Sequence, residues 1–67
     1  MRLIATRRYD IDEFWDTQKL YCVGTSYALH HKSDDPDEAE SWTIYSVDAA
    51  RQWLAECPEQ LVVCGSV

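Results

Sequence analysis

Glycine, proline and methionine are scarce in this chain of 67 residues, with two, two and one respectively. With only Gly24 and Gly65, no glycine-rich phosphate-binding loop can be written, and two prolines leave no room for a low-complexity linker. The three cysteines, Cys22, Cys57 and Cys64, are an odd number and contain no C-x2-C pair. That pattern excludes a conventional zinc knuckle or disulfide framework. No apolar run approaches the ~18 residues of a membrane-spanning helix, and the start, MRLIATRRYDIDE, lacks the apolar centre of a signal peptide. A reduced, cytoplasmic protein with no membrane partner is expected, its cysteines mostly core fillers. An interchain disulfide is the alternative. Positive charge is scarce too. Six bases stand against twelve acids, a net charge of −6. Such a field repels phosphate backbones, so no direct nucleic-acid binding is expected, and it favours a basic protein surface as partner.

What is present argues for a folded core. Hydrophobic residues make up 46% of the chain, and the aromatics number three Trp, four Tyr and one Phe, too rich a set for intrinsic disorder. The length admits one domain, residues 1–67, close to the lower limit for folding without staples. A core only one layer deep leaves no space for an enclosed substrate cavity. The expectation is therefore a functional surface, with self-association as one way to supply missing burial.

The pattern along the chain predicts an α+β fold: a small antiparallel sheet of four to five strands with one helix, about 47–57, packed on one face. RLIATRRY reads as a first strand, with Leu3, Ala5 and Tyr9 on one parity. DIDEFWDTQ breaks that period, and Asp10 with Glu13 has capping-box spacing, which predicts one or two helical turns pinned by Phe14 and Trp15. KLYCVGTSYALHHK reads as a hairpin turning at Val23-Gly24-Thr25-Ser26, with a single bulged strand as the alternative. SWTIYS is a further strand, with Trp42 and Ile44 alternating against Thr43 and Tyr45. In SVDAARQWLAECP, Ser46 is an N-cap, Asp48 suits the positive end of the helix dipole and Pro58 marks the stop. Val47, Ala50, Leu54 and Cys57 form its apolar stripe, widened by Trp53. LVVC closes the chain as a short strand inside or against the sheet.

HHKSDDPDEAESW, residues 30 to 42, sets two histidines beside five carboxylates. Adjacent histidines on a strand point to opposite faces, so His30 and His31 do not share a metal site, and no cofactor is expected. No nucleophile elbow accompanies the serines, and carboxylates in a polar tract keep ordinary acidity. The enzymatic alternative is a thiol or metal-dependent hydrolase using His30, His31 and one cysteine; a non-enzymatic protein is the expectation. Arg7 and Arg8 are expected to neutralise the acidic segments, and Trp15, Trp42 and Trp53 to serve as core. What remains is the acidic tract Asp34, Asp35, Asp37, Glu38 and Glu40, joined in sign by Asp10, Asp12, Glu13 and Asp16. Its bland alternative is a solvated loop. Its functional reading is a negative surface that occupies the lysines and arginines another protein uses for phosphate. Tyr21, Tyr27 and Tyr45, as strand tyrosines, are ambiguous between core and surface, and Tyr27 and Tyr45 are expected to contribute contact area.

A very small acidic chain with SDDPDEAESW and DIDEFWD as its negative segments resembles phage-encoded anti-CRISPR proteins, a group sharing no common fold or motif, so the likeness is one of size and charge. LYCVGTSYALHH followed by WTIYSVDAARQWL is also similar to small phage and bacterial proteins with a hairpin and a Trp-Leu helix. The first resemblance implies a phage or mobile-element inhibitor that acts as a DNA mimic in the host cytoplasm, covering basic nucleic-acid-binding residues of a CRISPR effector complex. The alternative is a small homodimeric accessory domain of a phage particle or a toxin–antitoxin pair.

Overall fold

In a computed structural model, the described residues are 1–11, 13–56 and 58–67; the positions of Asp12 and Cys57 lie outside them, as does the Ile11 side chain. The chain forms β1 (Arg2–Ile11), β2 (Phe14–Val23), β3 (Ser26–Ser33), β4 (Ser41–Tyr45), α1 (Val47–Ala55), a 3-10 turn (Pro58–Gln60) and β5 (Leu61–Val63). The strands make one antiparallel sheet in the order β4-β3-β2-β1-β5. Four strands run as a meander, α1 crosses one face, and β5 returns to the far edge beside β1. This is the expected small α+β domain.

Period and punctuation explain most of it. The β2–β3 turn is the two-residue loop Gly24-Thr25 between the paired Val23 and Ser26, and Gly24 has a φ of 61°, which glycine adopts without a Cβ clash. Ser46 caps α1, its hydroxyl accepting from the Ala49 N–H at 3.2 Å. β1, however, carries a bulge between Leu3 and Ala5, so Ile4 and Ala5 both turn inward and are fully buried. That breaks the simple parity of RLIATRRY. The Ile4 carbonyl, freed from the ladder, accepts the N–H groups of Cys64 and Gly65 and ties down the chain beyond β5.

Three expectations are corrected. DIDEFWD makes no helical turn: Asp10 is in β1, β2 begins at Phe14, and Asp10 pairs with Trp15 across the hairpin. Strand pairing here outweighs the local capping-box spacing. Second, LVV is an edge strand with Val62 and Val63 exposed, not an interior one. Third, the apolar side of α1 is centred on Ala50 and Trp53, while Val47 is exposed; the Cys57 end of the expected stripe lies outside the described residues. The core is Ile4, Ala5, Leu20, Tyr27, Leu29, Ala50 and Trp53, all between α1 and one sheet face.

Arg7 fixes α1 on that face. It is 3% exposed, and its guanidinium donates to the carbonyls of Trp53 and Glu56 at the helix C-terminus. It also stacks over the Trp53 ring, 4.1 Å from the centroid, with the Glu56 carboxylate 4.0 Å away. α1 has no basic residue in its own last turn, so a cation from β1 supplies the charge that the negative end of the dipole favours. Arg7 therefore does not neutralise the acidic tracts. Arg7→Ala should destabilise the fold by about 3 kcal/mol through lost charge-assisted bonds and unpaired carbonyls, whereas Arg8→Ala should cost less than about 1 kcal/mol. Urea unfolding of both variants checks this. Equal stabilities would remove Arg7 from its role.

Candidate functional site

Cross-strand partners share a face, so the register sorts the side chains. The helix-covered face carries Arg7, Gln18, Leu20, Tyr27, Leu29, His31 and Tyr45. The open face carries Arg8, Trp15, Lys19, Tyr21, His30, Lys32, Trp42 and Ile44. His30 and His31 do part to opposite faces. His30 lies 2.9 Å from the Glu40 carboxylate and stacks on Trp42, with centroids 4.5 Å apart. His31 lies 2.5 Å from Asp16, which is buried. Among the described residues, no three His, Cys, Asp or Glu side chains come together as a metal site.

Asp10, Glu13, Asp16 and the acids of the 34–40 connection gather at one end of the sheet, apart from Asp48, Glu56 and Glu59. The ends of β1 and β3 and the starts of β2 and β4 all fall there, so the β1–β2 turn and the 34–40 connection are neighbours. They are also bonded. The Asp34 N–H donates to the Trp15 carbonyl at 3.1 Å, and the Trp15 N–H donates back to Asp34 Oδ1 at 2.6 Å. This places Asp10 and Glu13 beside the tract; Asp12, counted with them on sequence grounds, lies outside the described residues.

Within the tract the five acids divide by role. Asp35 organises the turn: its N–H donates to Ser33 Oγ, its Oδ1 accepts from the Asp37 N–H at 2.9 Å, and its carbonyl accepts from the Glu38 N–H. Asp34 and Glu40 are engaged by Trp15 and His30. Asp37 and Glu38 are exposed, and among the described residues their carboxylates make no ion pair. The loop is thus a hydrogen-bonded turn that projects two free carboxylates, rather than an unstructured spacer.

The tyrosine part of the expected surface does not form. Tyr27 is 9% exposed and belongs to the core, and Tyr45 is half-buried against it. The helix packs over their face and buries Tyr27, while half-buried Tyr45 lines open clefts beside the helix. The aromatics that do face outward are two taken for core, Trp15 at 43% and Trp42 at 51% exposure, together with half-buried Tyr21, whose ring lies 5.6 Å from that of Trp42. Glu56 and Glu59 also escaped the sequence reading. They flank Pro58 and line, with Tyr9 and Gln18, an open cleft beside the helix C-terminus. Gln18 links that cleft to the core by accepting from Trp53 Nε1 at 3.1 Å. Cys64 is exposed, whereas half-buried Cys22 packs against the core.

No family model, curated protein or solved structure matches the chain. No helix among the described residues is long and apolar enough to cross a membrane.

The division of labour in the tract has a measurable consequence. Asp34→Ala should cost about 1 kcal/mol through loss of its bond to the Trp15 N–H and should speed hydrogen exchange at that amide. Glu38→Ala should stay within about 0.5 kcal/mol of wild type. Urea unfolding and amide exchange report both.

Proposed function

We propose that the protein is a non-enzymatic binding domain whose acidic end occupies a basic surface on another protein, of the kind that otherwise holds phosphates. The observation that carries this reading is the hydrogen-bonded junction of Asp34 with Trp15, which sets Asp10 and Glu13 beside Asp34–Glu40 at one end of the sheet. Carboxylates held on a folded frame meet arginine and lysine without first being ordered, which lowers the entropic cost of binding. Each histidine is occupied by a carboxylate, on opposite faces, an arrangement suited to bracing strands rather than to activating a nucleophile. The mode of action is the one that resemblance to anti-CRISPR proteins implies, with a basic channel of an effector complex as partner.

The exposed pair Asp37 and Glu38 carries the strongest test, because changing it leaves the turn's bonds in place. Asp37→Lys with Glu38→Lys should abolish capture of the partner from host lysate while leaving the melting temperature within a few degrees of wild type. Binding by the wild type should weaken steeply between low and high salt. Capture unchanged by the double reversal would reject the reading.

A further inference from the structure

Half of the chain's six cationic residues stand together on the open sheet face. Arg8 is opposite Thr17, and Thr17 is opposite Lys32; one row further along, Lys19 is opposite Thr6 and His30. Strands lie about 4.8 Å apart and same-face residues about 7 Å apart along a strand, so the three cations fit within roughly 10 Å. They line one shallow cleft of about 280 Å³. Among the described residues none of the three is in an ion pair, and Arg8 lies over the Trp15 ring instead, 4.3 Å from its centroid. In a chain with twice as many acids as bases, simple self-neutralisation would have paired them. The one carboxylate lining the cleft, Asp34, is engaged by the Trp15 N–H.

Aromatic rings border this cationic patch on two sides. Trp15 lies toward the acidic end, while Tyr21, His30 and Trp42 form a contiguous ring cluster toward the other, with Trp42 half-exposed. From the combination of unpaired cations and outward rings on an uncovered sheet face, we infer that the open face binds single-stranded nucleic acid. Bases stack on Trp42 and Tyr21, and phosphates meet Lys19, Arg8 and Lys32. A second copy stacked face to face would bring the two cationic patches against each other, so charge disfavours that occupant. An acidic peptide would satisfy the cations but leave the ring planes without a matching flat group. Duplex DNA keeps its bases inside and offers the rings nothing. The whole-chain charge of −6 opposes such binding; the two carboxylates beside the patch are engaged, Asp34 by the Trp15 N–H and Glu40 by His30, and at physiological salt the field of more distant acids decays over about 8 Å. The inference is independent of the proposed role of the acidic end.

Titrating the full chain with a twelve-residue oligothymidylate, followed by tryptophan fluorescence, tests it. The oligonucleotide should quench the emission at 50 mM salt, and three phosphate contacts should give a log–log salt slope of about −2, an affinity loss of roughly 20-fold by 200 mM. Lys19→Gln with Lys32→Gln should reduce that slope to about −0.7, and Trp42→Ala should weaken binding by roughly tenfold or more. All three positions reach solvent, and thermal melts confirm that the variants fold. Absence of quenching and binding at 50 mM salt overturns the inference. So does an unchanged slope in the lysine variant, or binding of a glutamate-rich peptide while the oligonucleotide is inert.

Discussion

One buried cation organises the molecule. Arg7 reaches from the middle of β1 to the C-terminal carbonyls of α1 and lies over the ring of Trp53, the largest core residue of the helix. Burying a guanidinium is costly unless its charge and protons are matched. Here two helix carbonyls, a ring face and the Glu56 carboxylate match most of it, while the buried Nε has no hydrogen-bond partner among the described residues. A helix of nine residues is marginal alone. The Ser46 cap at one end and Arg7 at the other hold it against the sheet, and the core closes beneath it. Because the described residues form a single α-helix, the same contact that covers one sheet face leaves the other open.

The consequences for charge follow directly. With Arg7 committed to the helix and Arg2 opposite Cys22 at the start of β1, the other three sheet cations, Arg8, Lys19 and Lys32, stand on the open face. The meander brings the β1–β2 turn and the 34–40 connection to a single end, and the acids go with them. Net charge describes neither surface. One domain presents a negative end, with Asp37 and Glu38 free, and a cationic, ring-bordered face only a few residues away.

Much of the fold was legible in the sequence because its signals are local. Gly24 between two alternating strands, Ser46 before the helix and the histidine pair on a strand each report their own neighbourhood, and the structure agrees with each. The failures come from non-local effects. Asp10 and Glu13 have capping-box spacing, yet pairing of Asp10 with Trp15 makes them part of a hairpin. A bulge at Ile4 inverts the parity on which the first strand was read. Arg7 and Arg8 are neighbours in sequence, and only the helix overhead decides that one is buried and the other exposed. For the candidate site, the acidic composition was visible but its organisation was not: which acids build the turn and which remain free depends on Trp15 and Ser33. Trp15 and Trp42 were read as core because large aromatics usually are; register against an uncovered face placed them outside.

The most direct test of two oppositely charged surfaces on one sheet is nuclear magnetic resonance mapping with a short oligolysine peptide. Amide shifts should concentrate at Asp10, Glu13 and Asp34–Glu40 and leave Lys19, Tyr21 and Lys32 unmoved. Shifts spread over the open face, or distributed evenly over the domain, would contradict the separation.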